Sequence, residues 1–199
     1  MHNKVIAWRN LKDIIKITSI NMFNFKSMEN INIRNVTLND INQLQKISRQ
    51  IFLETFSAGN SEKNMKEYLE KNFSIEKLTS ELKNEDSEFY FAELDNNIIG
   101  YLKLNYGESQ TELKDEKAIE IERIYVLKEF HGKKVGQLLY NKAIQIAREM
   151  NSDYVWLGVW QENTRAITFY KKNGFAEFDK HIFKLGDDEQ IDIMMKLQL

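Results

Sequence analysis

The sequence predicts a mixed α/β domain built on one central sheet. Three observations carry this reading. Strand-like and helix-like periodicities alternate from Glu29 to the end of the chain. The run Tyr154-Val-Trp-Leu-Gly-Val159 is apolar on both faces, as a strand covered from both sides must be. The Ile-, Val- and Tyr-rich stretch from Ala118 to Val126 passes through a short loop straight into a helical stripe of Val135, Leu138, Leu139, Ala143, Ile146 and Ala147. A strand that stops where a helix begins leaves unpaired backbone N–H groups and a positive dipole end facing solvent, a geometry suited to phosphate.

The 199 residues suit a single domain with an extension. Twelve Phe, eight Tyr and three Trp are enough to fill its core. A net charge of −2 argues against nucleic acid as a partner. The absence of Cys excludes disulfides, zinc–thiolate sites and a Cys nucleophile. His2, His131 and His181 are isolated, so no metal is expected. No apolar run of about 18 residues exists to span a membrane, and a cytoplasmic protein is expected.

Residues 1–27 stand apart, with Lys4, Arg9, Lys12, Lys16 and Lys26 against a single acid, Asp13. They lack the uninterrupted apolar centre of a signal peptide. They are expected to be a flexible extension, or the product of an upstream start codon ahead of Met28. Residues 28–199 form the domain.

Within it, Ile31, Ile33 and Val36 mark a first strand. Thr37-Leu-Asn-Asp40 has the spacing of a capping box and opens a helix that buries Ile41, Leu44, Ile47 and Ile51. Two further helices follow, at about 61–72 and from the N-cap Ser74 to Leu82. A hairpin of 89–94 and 98–106 turns at Asp95-Asn96-Asn97. After the strand–loop–helix unit and the apolar strand, a helix over 163–173 ends at Gly174 in the left-handed position. A final hairpin joins 175–184 to 190–197.

Two stretches hold the candidate chemistry. In Asn163-Thr-Arg-Ala-Ile-Thr-Phe-Tyr-Lys-Lys-Asn-Gly-Phe175, helical spacing lines up Asn163, Ala166, Tyr170 and Gly174 along one side. Taken alone, Tyr170 beside Phe169 reads as a core aromatic. Together with I-E-R-I-Y-V-L-K-E-F-H-G-K-K-V-G, the stretch resembles the GCN5-related N-acetyltransferase (GNAT) family. That family has a loop of pattern Q/R-x-x-G-x-G/A and a second motif N-x-x-A-x-x-F-Y-x-x-x-G-F. The second motif matches in full. In the loop, His131 takes the Q/R place, Lys134 replaces the first glycine and Gly136 keeps the last, while Lys128 stands where many members have proline. The element order follows the family over 28–199, implying the GNAT fold: a twisted mixed sheet of about seven strands flanked by helices on both faces. I-E-I-E-R-I-Y, W-L-G-V-W-x-x-N and the tail G-D-x-E-Q-x-D are similar to the PaiA type of spermidine/spermine N-acetyltransferase.

The resemblance implies an acetyl-coenzyme A cosubstrate, no metal and a small-molecule amine acceptor, a polyamine first; acetylation of a protein N-terminus, a lysine or another small amine, a catalytically weak coenzyme-binding regulatory module, and a homodimer all stay open. It implies that Ile124, Tyr125 and Val126 hold pantetheine and polarise the thioester, a service worth about 10²–10³ in rate. It places the pyrophosphate on His131, Gly132, Lys133, Lys134, Val135, Gly136 and Gln137. Asn163, Ala166, Phe169 and Lys172 are expected to line the coenzyme, with Asn163 also fit to cap its helix. An alkyl ammonium has a pKa of about 10.4 and needs a base. Glu122 is the matching residue, and Glu120 competes because both share a face of an undistorted strand. Tyr170 is the expected acid for the departing thiolate. Trp156 reads as core and Trp160, near its strand end, as site wall. For polycation binding the shared tail favours Asp187, Asp188 and Glu189, with Glu54, Glu108, Glu112, Asp115 and Glu116 in other loops.

Overall fold

The computed structural model describes residues 30–185 and 188–199. The extension expected at 1–27, and Asp187, lie outside the described residues. The elements in order are β1 (Ile31–Asn35), α1 (Ile41–Phe56), α2 (Glu62–Asn72), α3 (Ile75–Leu82), β2 (Ser87–Leu94), β3 (Asn97–Asn105), β4 (Ala118–Val126), α4 (Val135–Glu149), β5 (Tyr154–Trp160), α5 (Thr164–Lys172), β6 (Ala176–Leu185) and β7 (Asp188–Gln198). The seven strands form one sheet in the order β1-β2-β3-β4-β5-β7-β6. Every pairing is antiparallel except that of β4 with β5, which α4 joins as a crossover. This is the mixed α/β sheet that the sequence predicts. Among the described residues no helix is long and apolar enough to cross a membrane.

Local chemistry accounts for most of the boundaries. The Thr37 N–H donates to Asp40 Oδ2 at 2.9 Å, and the 3-10 turn Leu38–Asp40 leads into α1. Ser61 and Ser74 cap α2 and α3 by accepting from Asn64 N and Lys77 N, each at 3.1 Å. Asp95 and Asn96 both adopt positive φ, 50° and 63°, the conformation a two-residue hairpin turn requires. Gly174, at φ 92°, ends α5.

Two cores cover the two faces of the sheet. On one, Leu139, Ala143 and Ala147 of α4 pack on Ile99, Leu102, Ile119 and Val155. On the other, Leu44, Ile47 and Ile51 of α1, Leu69 of α2 and Leu78 of α3 pack on Phe89, Phe91 and Tyr101. Each fully buried Leu or Ile contributes roughly 1.5–3 kcal/mol.

Strand β4 departs from regularity twice. Lys103 pairs with Arg123 but Leu104 pairs with Ile121, so Glu122 is an extra residue on β4, a bulge. The bulge reverses the alternation. Ile119 and Ile121 face α4, and so do Ile124 and Val126 beyond it. Glu120 and Glu122 therefore do not share a face with Ile124, as they would in a regular strand. Next, β4 pairs with β5 only over Ala118–Glu120 against Tyr154–Trp156, and the two strands separate from there.

The loop after β4 closes without the expected first glycine. Gly132 has φ 77°, and Lys134 itself sits in the left-handed region at φ 61°, ψ 6°, immediately before α4. A non-glycine residue pays about 1–2 kcal/mol there, partly offset by its smaller loss of chain entropy on folding. Lys134→Gly is therefore expected to stabilise the protein by about 0.5–1 kcal/mol. Thermal unfolding should show a rise in Tm of roughly 2–4 °C.

Candidate active site

The separation of β4 from β5 opens a cavity of about 1060 Å³ that runs from the start of α4, between the strands, to α1, α2 and the β6–β7 hairpin. Because the Leu127 N–H donates to Ile99 O on the β3 side, alternation turns the peptide groups of Ile124 and Val126 toward the gap. Ile124, Tyr125 and Val126 all line it. At the start of α4, the N–H groups of Gly132, Lys134, Val135 and Gly136 take no backbone acceptor among the described residues. These residues, with His131 and Gln137, also line the cavity. It thus joins an open strand edge to an open helix N-terminus.

The loop is pinned by His131. Its Nε2 contacts Val126 O at 2.8 Å, and Arg165 donates to its Nδ1 at 2.6 Å. That assigns the proton to Nε2 and leaves Nδ1 as acceptor. Burial lowers the pKa of the ring, which keeps it neutral as this pairing requires. Gln137 donates to Asn173 Oδ1 at 3.0 Å and so ties α4 to the end of α5.

From α5, Asn163, Ala166, Phe169 and Tyr170 line the cavity. Asn163 Oδ1 accepts from Ala166 N at 3.1 Å, so the helix cap is made. Tyr170 is buried between Phe169 and Phe175. Burial pushes its hydroxyl far above the ordinary phenol value, and the hydroxyl makes no hydrogen bond among the described residues. It is a protonated donor with nothing to donate to.

Glu120 and Glu122 share the wall opposite α4 but differ sharply. Glu122 receives Arg123 Nη2 at 2.8 Å, Lys103 Nζ at 2.5 Å and Asn105 Nδ2 at 2.6 Å. Burial raises its carboxyl, but the Arg123 and Lys103 charges more than offset this and hold it down to about 2. Both cations also grip Glu81 of α3, Arg123 at 3.0 Å and Lys103 at 3.1 Å. The result is a nearly buried cluster of two carboxylates and two cations, with the Arg123 guanidinium over the Phe73 ring. Glu120, 3% exposed, accepts from Thr111 N at 2.8 Å and Asn105 Nδ2 at 2.9 Å. Burial raises its pKa despite these bonds.

Other expected residues divide. Trp156 is fully buried and donates to Gln110 Oε1 at 2.6 Å, while Trp160 lines the cavity with its ring 6.1 Å from that of Phe56. Lys133 and Lys172 are exposed and lie outside the cavity wall; the Lys133 ammonium rests 4.8 Å over the Phe130 ring. Asp188 and Glu189 are not in the wall either. Asp188 accepts from Gln190 Nε2 at 2.8 Å and Glu189 pairs with Lys184 at 2.7 Å, so strand pairing spends them locally. Of the other loop acids, Glu112 reaches the cavity, whereas Glu54 accepts from Lys128 N at 2.9 Å. Lys103, Arg123, Glu81, Asn105, His181 and Asp192 were not singled out by the sequence. The one signal was Lys103 and Asn105 within the apolar strand N-I-I-G-Y-L-K-L-N, where inward charge needs a partner.

Comparison with known proteins agrees with this geometry. A family model described as "Acetyltransferase (GNAT) family" matches residues 46–175. The chain belongs to the GNAT family. An uncharacterized N-acetyltransferase in the pepI 3′ region of Lactobacillus delbrueckii subsp. lactis is 38% identical over 172 residues, 86% of this chain and 99% of that protein. A spermidine N(1)-acetyltransferase of Thermoplasma acidophilum is 27% identical over 170 residues, 83% of this chain and 96% of that one. The crystal structure of the PaiA N-acetyltransferase from Thermoplasma acidophilum in complex with coenzyme A superposes with a TM-score of 0.70 at 26% identity, covering 85% of this chain and 99% of that one. This GNAT protein is thus an acetyltransferase.

The ion cluster makes a testable demand. Glu122→Gln leaves Lys103 and Arg123 with Glu81 alone and is expected to destabilise the GNAT fold by about 3 kcal/mol at neutral pH. Because the folded-state pKa of Glu122 is depressed, its contribution is fully present above its ordinary value of 4.5 and is lost as pH falls toward about 2. Urea unfolding at pH 7 and pH 3 should show the gap between wild type and variant shrinking in acid.

Proposed function

We propose that the protein transfers the acetyl group of acetyl-coenzyme A directly to a primary amine of a polyamine such as spermidine or spermine. The observation that carries the transfer is the continuity, within one cavity, of the free loop amides, the open peptide edge of β4 and the unpartnered Tyr170 hydroxyl. The amides of Gly132, Lys134, Val135 and Gly136 suit a pyrophosphate. The Ile124 and Val126 peptide groups suit the amide-bearing pantetheine arm and polarise the thioester carbonyl. Acetyl-coenzyme A supplies the activated acetyl group.

Tyr170, held protonated by burial, gives its proton to the departing sulfur as the carbon–sulfur bond breaks. The carboxylate wall first takes one proton from the ammonium; the freed amine forms the new bond to the acetyl carbon, and the second proton that its nitrogen sheds restores the Tyr170 hydroxyl. Of the two candidates there, Glu120 is the better matched base, because burial raises its affinity for a proton while the cations around Glu122 suppress it. Glu122 then serves to hold Lys103 and Arg123 in place. The polyamine reading is supported by the resemblance to a protein named spermidine N(1)-acetyltransferase and by the acids facing the cavity.

A thiol-release assay with spermidine, spermine, lysine peptides and aminoglycosides tests the acceptor. Polyamines are expected to turn over fastest, and peptide activity without polyamine activity overturns the reading. Tyr170→Phe should lower kcat about ten- to a hundredfold, a modest loss because a thiol of pKa about 8.5 leaves with little help. Glu120→Gln should lower kcat/KM about a hundredfold or more at neutral pH. An unaltered rate in that variant would return the base to Glu122 or to water.

A further inference from the structure

The far end of the cavity, under the β6–β7 hairpin, holds a charged group that the transfer chemistry does not use. Asp192 of β7 stands in register with Trp160 of β5 on one side and His181 of β6 on the other. Alternation puts Gln190 on the same face as Asp192, and Gln190 in turn stands opposite Phe183. All five residues line the cavity.

Neither polar group is satisfied by the protein. Among the described residues no lysine or arginine pairs with Asp192; the nearest cation-forming atom is His181 Nε2, at 3.9 Å and beyond hydrogen-bond reach. Burial raises the Asp192 carboxyl, the mark of an anion short of compensation. Gln190 is only 9% exposed, and its Oε1 has no partner, although its Nε2 donates to Asn60 and Asp188. An unmet carboxylate and an unmet carbonyl oxygen both ask for a donor bearing positive charge.

Aromatic faces enclose the same spot. Phe56 lies 6.1 Å from Trp160, and Tyr68 packs edge-on to Phe183 at 5.7 Å. Rings around a half-buried carboxylate favour an alkyl ammonium, which gains from the ring faces while its methylenes pack on them. They do not favour a metal ion, which would need more oxygen ligands.

The position fixes which ammonium this is. The sheet order puts β7 two strands from β4, and because β4 and β5 are unpaired at this end the distance exceeds roughly 10 Å. The reacting nitrogen must lie at the β4–β5 opening, beside the Ile124 and Val126 peptide groups. One cavity is lined both by Glu81, Glu122 and Arg123 and by Gln190 and Asp192, so a continuous space joins the two ends.

We propose that Asp192 and Gln190, walled by Phe56, Tyr68, Trp160 and Phe183, form the subsite for the distal, non-reacting ammonium of an acceptor carrying at least two cationic centres. The assignment rests on the polyamine reading and moves its recognition from the expected Asp187–Glu189 to the cavity face of β7. Asp192 is a specificity residue, and no bond is made or broken there.

The test compares spermidine with n-octylamine, which has the chain but not the second charge, using the full chain and thiol release. In Asp192→Asn the ratio of kcat/KM for spermidine over octylamine is expected to fall about ten- to a hundredfold, through KM for spermidine with its kcat held. Phe183→Leu, a milder change that removes one ring, should lower the same ratio about three- to tenfold and decides the matter if Asp192→Asn does not fold. A ratio unchanged in the folded variants overturns the subsite and leaves polyamine acetylation standing. Wild-type protein that acetylates octylamine or a peptide but no polyamine overturns both.

Discussion

Strand β4 cannot satisfy both of its neighbours, and the rest of the molecule follows from that. It pairs with β3 almost from end to end but with β5 over three residues only. Backbone groups left open in a protein interior are costly unless something meets them. Here the opening is kept from collapsing by what lies on either side. The start of α4 and the helix α5 form one bank, and the bulge at Glu122 forms the other by swinging charged side chains away from the α4 core. A regular β4 would have sent Glu122 and Ile124 to the same face and mixed a carboxylate into an apolar layer.

The buried charges beneath this opening are an architectural device as much as a chemical one. Lys103, Arg123, Glu81 and Glu122 link β3, β4 and α3 through contacts of 2.5–3.1 Å. Such a cluster is not a cheap source of stability, since desolvation consumes much of its attraction. What it provides is definition: four long side chains held in one arrangement on the cavity wall beside Glu120. Replacing one member disturbs the others, whereas Glu120 is joined to the cluster through Asn105.

Much of the fold was legible in the sequence because its signals are local. Ser61 and Ser74 begin helices by their own hydroxyls, Asp95-Asn96 make a turn by tolerating positive φ, and Gly174 ends a helix for the same reason. The motif from Asn163 to Phe175 could be read as one helix side, and the structure sets Asn163, Ala166, Phe169 and Tyr170 together on the cavity. The site's charged half was not legible. Lys103 meets Glu81 across 22 positions and Arg123 meets Glu81 across 42, and no periodicity encodes such pairings. Asp192 was passed over for a similar reason. Beside the denser acids at 187–189 it looked ordinary, and only the hairpin register shows that Glu189 turns to Lys184 while Asp192 turns inward.

The burial of the four-charge cluster also sets how the protein meets its surroundings. Mobile ions screen exposed charges over about 8 Å at physiological ionic strength and screen largely buried pairs much less. The field of the cluster on the cavity wall therefore changes less with salt than that of surface charges. Charges at the mouth of the cavity have no such shelter. Salt then alters how often an amine acceptor arrives more than it alters the electrical landscape inside.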